Sequence, residues 1–90
     1  MSDKPSIPGE GKLIGKVTHY YNNIGVAIIE MSATLKAGDN IRIIGGEVDF
    51  EQMVESIEVD HKKVKAAKAK ETIGIKVGEK VREGYRVYKV

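Results

Sequence analysis

Lysine dominates the chemistry that this 90-residue chain can offer. His61-Lys62-Lys63-Val64-Lys65 is followed by Lys68 and Lys70, and Arg82 and Arg86 stand further on. Cations at that density neutralise phosphates, and each neutralised phosphate releases counterions, so such binding is salt-dependent. Tyr20 and Tyr21 offer aromatic faces on which unpaired bases could stack. The candidate RNA-binding set is therefore His61, Lys62, Lys63, Lys65, Lys68, Lys70, Arg82, Arg86 and Tyr20, with RNA or a ribonucleoprotein as partner. A lysine run is equally what a solvated face looks like, and one of two adjacent strand tyrosines must point inward.

Catalytic patterns are missing. The nearest approach to a phosphate-binding loop, Glu10-Gly11-Lys12-Leu13-Ile14-Gly15-Lys16-Val17, has glutamate for the first glycine and valine after the lysine. Gly9-Glu10-Gly11 lacks the third glycine of a dinucleotide site. His19 and His61 are the two histidines, on separate strands, and a zinc site needs two further ligands. His19 reads as a half-buried strand residue and His61 as a surface residue beside the lysines. No serine sits in a Gly-x-Ser-x-Gly elbow, and there is no cysteine nucleophile, disulfide or thiolate ligand. The expectation is a protein that is not an enzyme, with no cofactor, no metal and no small-molecule substrate.

Net charge is only +2, but it is unevenly laid down. Residues 1–60 hold five Lys/Arg against ten Asp/Glu, whereas residues 61–90 hold ten against three. Such a split suggests a basic face turned to a polyanion, unless the fold interleaves the two halves. The apolar runs are far shorter than the ~20 residues of a membrane span. The N-terminus has no signal-peptide core. With no disulfide framework, the expected location is cytoplasmic, with no membrane partner.

The elements that must position these groups are strands. Residues 1–11 hold both prolines and read as a flexible tail, leaving residues 12–90 as one domain. Lys12 to Tyr21 is a first strand, with Leu13, Val17 and Tyr21 in one phase and Ile14, Lys16, Thr18 and Tyr20 in the other. Asn22-Asn23 predicts a tight turn, because asparagine tolerates the left-handed region. Ile24 to Met31 is apolar in both phases, so its outer face should be partly covered. Gly38-Asp39 predicts a turn into the alternating Ile41-Arg42-Ile43 strand, the aspartate bonding amides just beyond it. In Phe50 to Val59, Phe50 and Val54 share a phase that Ile57 and Val59 oppose, so a bulge or sharp bend belongs at Glu55-Ser56. Lys62 to Lys70 is a strand end running into a loop, with room for one helical turn. Glu71 to Val77 and Tyr85 to Val90 complete the set, joined by a turn from Gly78 to Gly84. Leu35-Lys36-Ala37-Gly38-Asp39 before a strand is echoed by Val81-Arg82-Glu83-Gly84-Tyr85 before another.

Gly15-Lys16-Val17, Gly25-Val26, the run Leu35 to Ile41, Val54-Glu55-Ser56-Ile57 and Thr72-Ile73-Gly74-Ile75 resemble, in order and spacing, the second domain of elongation factor Tu and other translational GTPases. The nearest likeness is to small translation elongation factor-like proteins, and a further one is to the C-terminal barrel of collagenase-like peptidases. The resemblance spans residues 12–90 and implies an all-β fold, a small closed six-stranded Greek-key barrel. Its motifs make a fold, not a site. This chain leaves no room for the GTPase domain, and it carries Lys70 where the family often has glycine. The functional expectation is a non-catalytic translation-factor-like module that binds RNA through its basic C-terminal half. The alternative is a protein-interaction module docking onto a separately encoded enzyme or GTPase. A third reading pairs two copies through the outer face of Ile24–Met31.

Overall fold

Alternating Ile/Val and polar residues lay most of the chain out in strands, and the computed structural model describes residues 12–60 and 62–90. They comprise β1 (Lys12–Tyr21), β2 (Val26–Met31), β3 (Leu35–Lys36), β4 (Asn40–Gly45), β5 (Val48–Met53), β6 (Ile57–Val59), β7 (Lys62–Val64), β8 (Ala66–Ala67), β9 (Thr72–Lys76) and β10 (Arg86–Lys89). Eight of them pair in the order β5-β4-β10-β1-β2-β9-β6-β7, every pairing antiparallel, while β3 pairs with β8. The fold is all-β, as the sequence implies. Six strands closed into a barrel are not what forms: among the described residues the ladder is open, with β5 and β7 at its ends.

The physical reason lies at the expected bend. Residues 54–56 leave the sheet, and the predicted Phe50–Val59 strand becomes two that pair with different neighbours, β5 with β4 and β6 with β7 and β9. Val54 and Ile57 are both buried, which a continuous strand could not achieve. Across the opening, the Gln52 side chain ties β5 to the end of β9. Its amide nitrogen donates to the Lys76 carbonyl at 2.8 Å and its oxygen accepts the Gly78 N–H at 2.9 Å. Gln52→Ala is expected to cost about 1 kcal/mol and to speed hydrogen exchange at Gly78. Unchanged protection there would show that the side chain bridges nothing.

Two irregularities in β1 correct its expected phase. Its register slips between Leu13 and Gly15 and again between Val17 and His19. Ile14 and Val17 are therefore buried, Tyr20 packs against the core, and Leu13 and Tyr21 face solvent. At the next turn the left-handed residue is Gly25, at φ 67°, not Asn22 or Asn23. The expected helical turn in residues 62–70 is absent; β7 and β8 occupy that stretch, Ala67 buried and the Ala37 N–H bonded to the Lys65 carbonyl at 2.8 Å. The tail assigned to residues 1–11 lies outside the described residues.

The echo between the two glycine turns proves geometric. In Lys36–Asp39 the Asp39 N–H bonds the Lys36 carbonyl at 3.0 Å, with Gly38 at φ 97°. In Arg82–Tyr85 the Tyr85 N–H bonds the Arg82 carbonyl at 3.2 Å, with Gly84 at φ 93°. Positive φ at the third position is the type II pattern, which suits glycine. Each turn then clamps a buried valine on both sides. The Gly38 N–H reaches the Val54 carbonyl at 2.7 Å and the Val54 N–H returns to Asp39 at 2.8 Å. The Gly84 N–H reaches the Val17 carbonyl at 2.7 Å and the Val17 N–H returns to Tyr85 at 2.7 Å. Asp39 adds a bond backward, its carboxylate accepting the Lys36 N–H at 2.9 Å, where an amide further along was expected.

Lys68–Glu71 repeats the device a third time. The Glu71 N–H bonds the Lys68 carbonyl at 3.2 Å, the Lys70 N–H bonds the Met31 carbonyl at 2.8 Å, and the Met31 N–H bonds the Glu71 carbonyl at 2.8 Å. The residue in the glycine position is Lys70, at φ 75°. All three turns brace the core of Ile14, Ile29, Leu35, Ile41, Ile43, Ile57, Ile73 and their neighbours. No helix among the described residues is long and apolar enough to cross a membrane.

Candidate functional site

The fold scatters the basic residues that follow one another in sequence. Lys62 and Lys63 sit on the end strand β7, with Lys63 opposite Glu58 of β6. Lys65 and Lys68 flank β8, and Lys68 opens the third turn, its N–H held by the Glu71 carboxylate at 2.7 Å. Arg82 opens the second turn and shares a depression with His19, Tyr20, Lys80 and Glu83. His61 lies outside the described residues. His19 is exposed rather than half-buried, edge-on to the Tyr21 ring at 4.4 Å between centroids and 3.6 Å from the Glu83 carboxylate.

Lys70 and Arg86 do come together, and Lys16 joins them. The three line one groove of about 730 Å³ with Leu13, Gly15, Glu30 and Ser32. Strand pairing explains the meeting. Lys16 lies directly opposite Arg86 of β10 on one side and opposite Glu30 of β2 on the other, and the third turn docks on Met31 at the end of β2. Lys16 belongs to the acidic half of the sequence, and no charge run marks it. Only the register of β1 against β10 reveals it.

Elsewhere the charges mix. The Arg42 guanidinium donates to both Asp49 oxygens, at 2.6 and 2.7 Å, and Lys89 lies 3.4 Å from Asp39. The hydrogen bonds from Arg42, with its positive charge, hold the Asp49 carboxyl below the ordinary 3.8. A carboxylate depressed in the fold adds stability above its unfolded pKa and loses it as pH falls through the folded value. Titration followed by NMR should place Asp49 below 3.8 and return it towards that value in Arg42→Gln. An Asp49 midpoint indifferent to Arg42→Gln would contradict the pairing.

In the turn before β2, Ile24 is 60% exposed; on the outer side of β2, Val26 and Ile28 are half-buried, and Gly74 leaves the neighbouring β9 flat against them. No group of three or more His, Cys, Asp or Glu among the described residues could hold a metal ion.

Comparison with known proteins corrects the relationship drawn from the sequence. No family model matches the chain. An uncharacterised protease of Methanocaldococcus jannaschii is 45% identical over 76 residues, covering 83% of this chain but 19% of the protease. The chain thus spans about a fifth of the length of that curated relative. Two crystal structures of the C-terminal domain of a Geobacillus thermoleovorans protein described as a U32 peptidase superpose with a TM-score of 0.83 at 22% identity. They cover 87% and 88% of this chain, and 99% and 92% of theirs. The likeness to elongation factor Tu rested on turn glycines and core Ile/Val, which any fold with these clamps requires. It gives way to resemblance to a U32 peptidase C-terminal domain, and the translation-linked, RNA-binding reading goes with it. The likeness to the C-terminal domain of peptidases is the one the comparisons favour.

Proposed function

We propose that this chain is a non-catalytic docking module that binds a peptidase catalytic domain through protein–protein contacts. One observation carries the reading: 45% identity to a protease over most of this chain, confined to a fifth of the protease. The remaining four-fifths is ample for a catalytic domain, whereas this chain spends its residues on bracing a sheet. The open ladder tied across by Gln52 acts here as a rigid, barrel-like support. Rigid support is what an adaptor needs, since preorganised surfaces lose less entropy on binding.

The test uses the M. jannaschii protease without its matched segment. Mixed with this chain, it should elute from size exclusion as a one-to-one complex, and peptide hydrolysis should require the protease part alone. Separate elution at micromolar concentrations, or hydrolysis by this chain by itself, would overturn the proposal.

A further inference from the structure

The groove between the third turn and the paired strands β1 and β10 carries two arrangements that stability alone disfavours. Lys16 and Arg86 stand directly opposite each other on adjacent strands, where like charges repel. Lys70 occupies a left-handed backbone position that the two equivalent turns give to Gly38 and Gly84. A side chain there is strained, because its Cβ crowds the backbone. Both costs fall on residues that line the same groove. Among the described residues, none of the three cations forms an ion pair; those that occur join His19 to Glu83, Arg42 to Asp49 and Lys89 to Asp39. A single carboxylate, Glu30, lies against three positive charges.

We propose that this groove takes an acidic peptide segment of the docking partner, with carboxylates set between Lys16, Lys70 and Arg86. The proposal rests on the docking reading and names its contact. Charge complementarity selects the carboxylates. Leu13 at the rim, 47% exposed, and Ser32 beside it give a neighbouring apolar side chain and a backbone amide something to meet. A groove partly lined with apolar surface and partly with cations suits alternating acidic and apolar residues better than a free anion. Arg86 supplies a planar fork for two carboxylate oxygens, while Lys16 and Lys70 act as point charges.

The strained lysine makes the idea separable from structure. Lys70→Gly removes the side chain and relieves the backbone at once. Its thermal midpoint should hold level or rise by about 2–4 °C, since relief of left-handed strain offsets the greater freedom of glycine in the unfolded chain. The probe is a fluorescein-labelled hexapeptide alternating glutamate and leucine, read by anisotropy against the full chain. Wild type should bind it, and Lys70→Gly and Lys16→Gln should each weaken binding about fivefold. Lys63→Gln, on the far end of the sheet, should leave it unchanged.

Equal probe binding by Lys70→Gly and wild type would overturn the proposal. So would equal weakening by Lys63→Gln, which would mean unspecific attraction, or tighter binding of a uridine hexanucleotide through the same three residues. If the protease complex forms but ignores Lys70→Gly and Lys16→Gln, the docking reading stands and the groove is dismissed. If the complex never forms while the hexapeptide binds as described, the docking reading falls and the groove's preference is upheld.

Discussion

Gly15→Ala should destabilise the protein by about 3 kcal/mol, near the top of the range for forcing an extra methyl into a packed interior. A Cβ at Gly15 would lie 2.8 Å from the Glu30 carbonyl oxygen and 2.9 Å from Cγ2 of Ile29. The first of these is backbone on the paired strand and cannot swing aside. β1 and β2 would have to part in the middle of the eight-stranded sheet, between β10 and β9. For a domain of this size, about 3 kcal/mol corresponds to a midpoint lowered by roughly 12–24 °C. A drop of a degree or two would mean that the strands are not as close as described.

Leu35→Ala should cost a similar amount, about 3–4 kcal/mol, from lost transfer energy and the cavity left behind. Leu35 is fully buried, pairs with Ala67 in the small sheet, and leads into the first clamp. The turn that follows it is itself held by the Gly38–Val54 bonds, and its strand partner Ala67 is fully buried. Little relaxation is therefore available. Urea unfolding measures the loss directly, and a midpoint near that of wild type would show a core looser than these contacts describe. Together the two variants ask whether the frame around the groove is rigid before any ligand is considered.

How far the sequence could be read follows from the range of each signal. Strand existence is written locally, in alternation, and Ile41-Arg42-Ile43 or Ile73-Gly74-Ile75 becomes a strand with both isoleucines inward. The bend before Ile57 was legible because a buried face cannot change phase without one. The slips in β1 were not, since both phases of Lys12–Tyr21 carry apolar residues, Leu13 and Val17 in one and Ile14 and Tyr20 in the other, and only pairing with β10 and β2 decides which turn inward. Closure of the sheet is likewise a matter of which strand meets which, and alternation is silent on it.

The candidate site shows the same limit. A run such as Lys62-Lys63-Val64-Lys65 draws attention in sequence, yet Lys62 and Lys63 fall on the end strand β7, opposite Val59 and Glu58, and Lys65 lies beside β8. The convergence that matters joins residues separated by most of the chain. Lys70 and Arg86 stood in the candidate set read from the sequence while Lys16 did not; Lys70 was also marked as a lysine where glycine is expected, and the third clamp shows why glycine would fit there. The translation-factor likeness failed for a related reason. Turn glycines and inward isoleucines report a bracing scheme that unrelated activities share.

The central claim is that this chain works by holding on to a peptidase domain, and one titration addresses it most directly. The M. jannaschii protease lacking its matched segment is titrated into this chain in a calorimeter at low and high salt. The account predicts one-to-one saturation with a micromolar or tighter Kd, weakened by salt because the contact is charged. No heat above dilution at either salt concentration, from two folded partners, would contradict it.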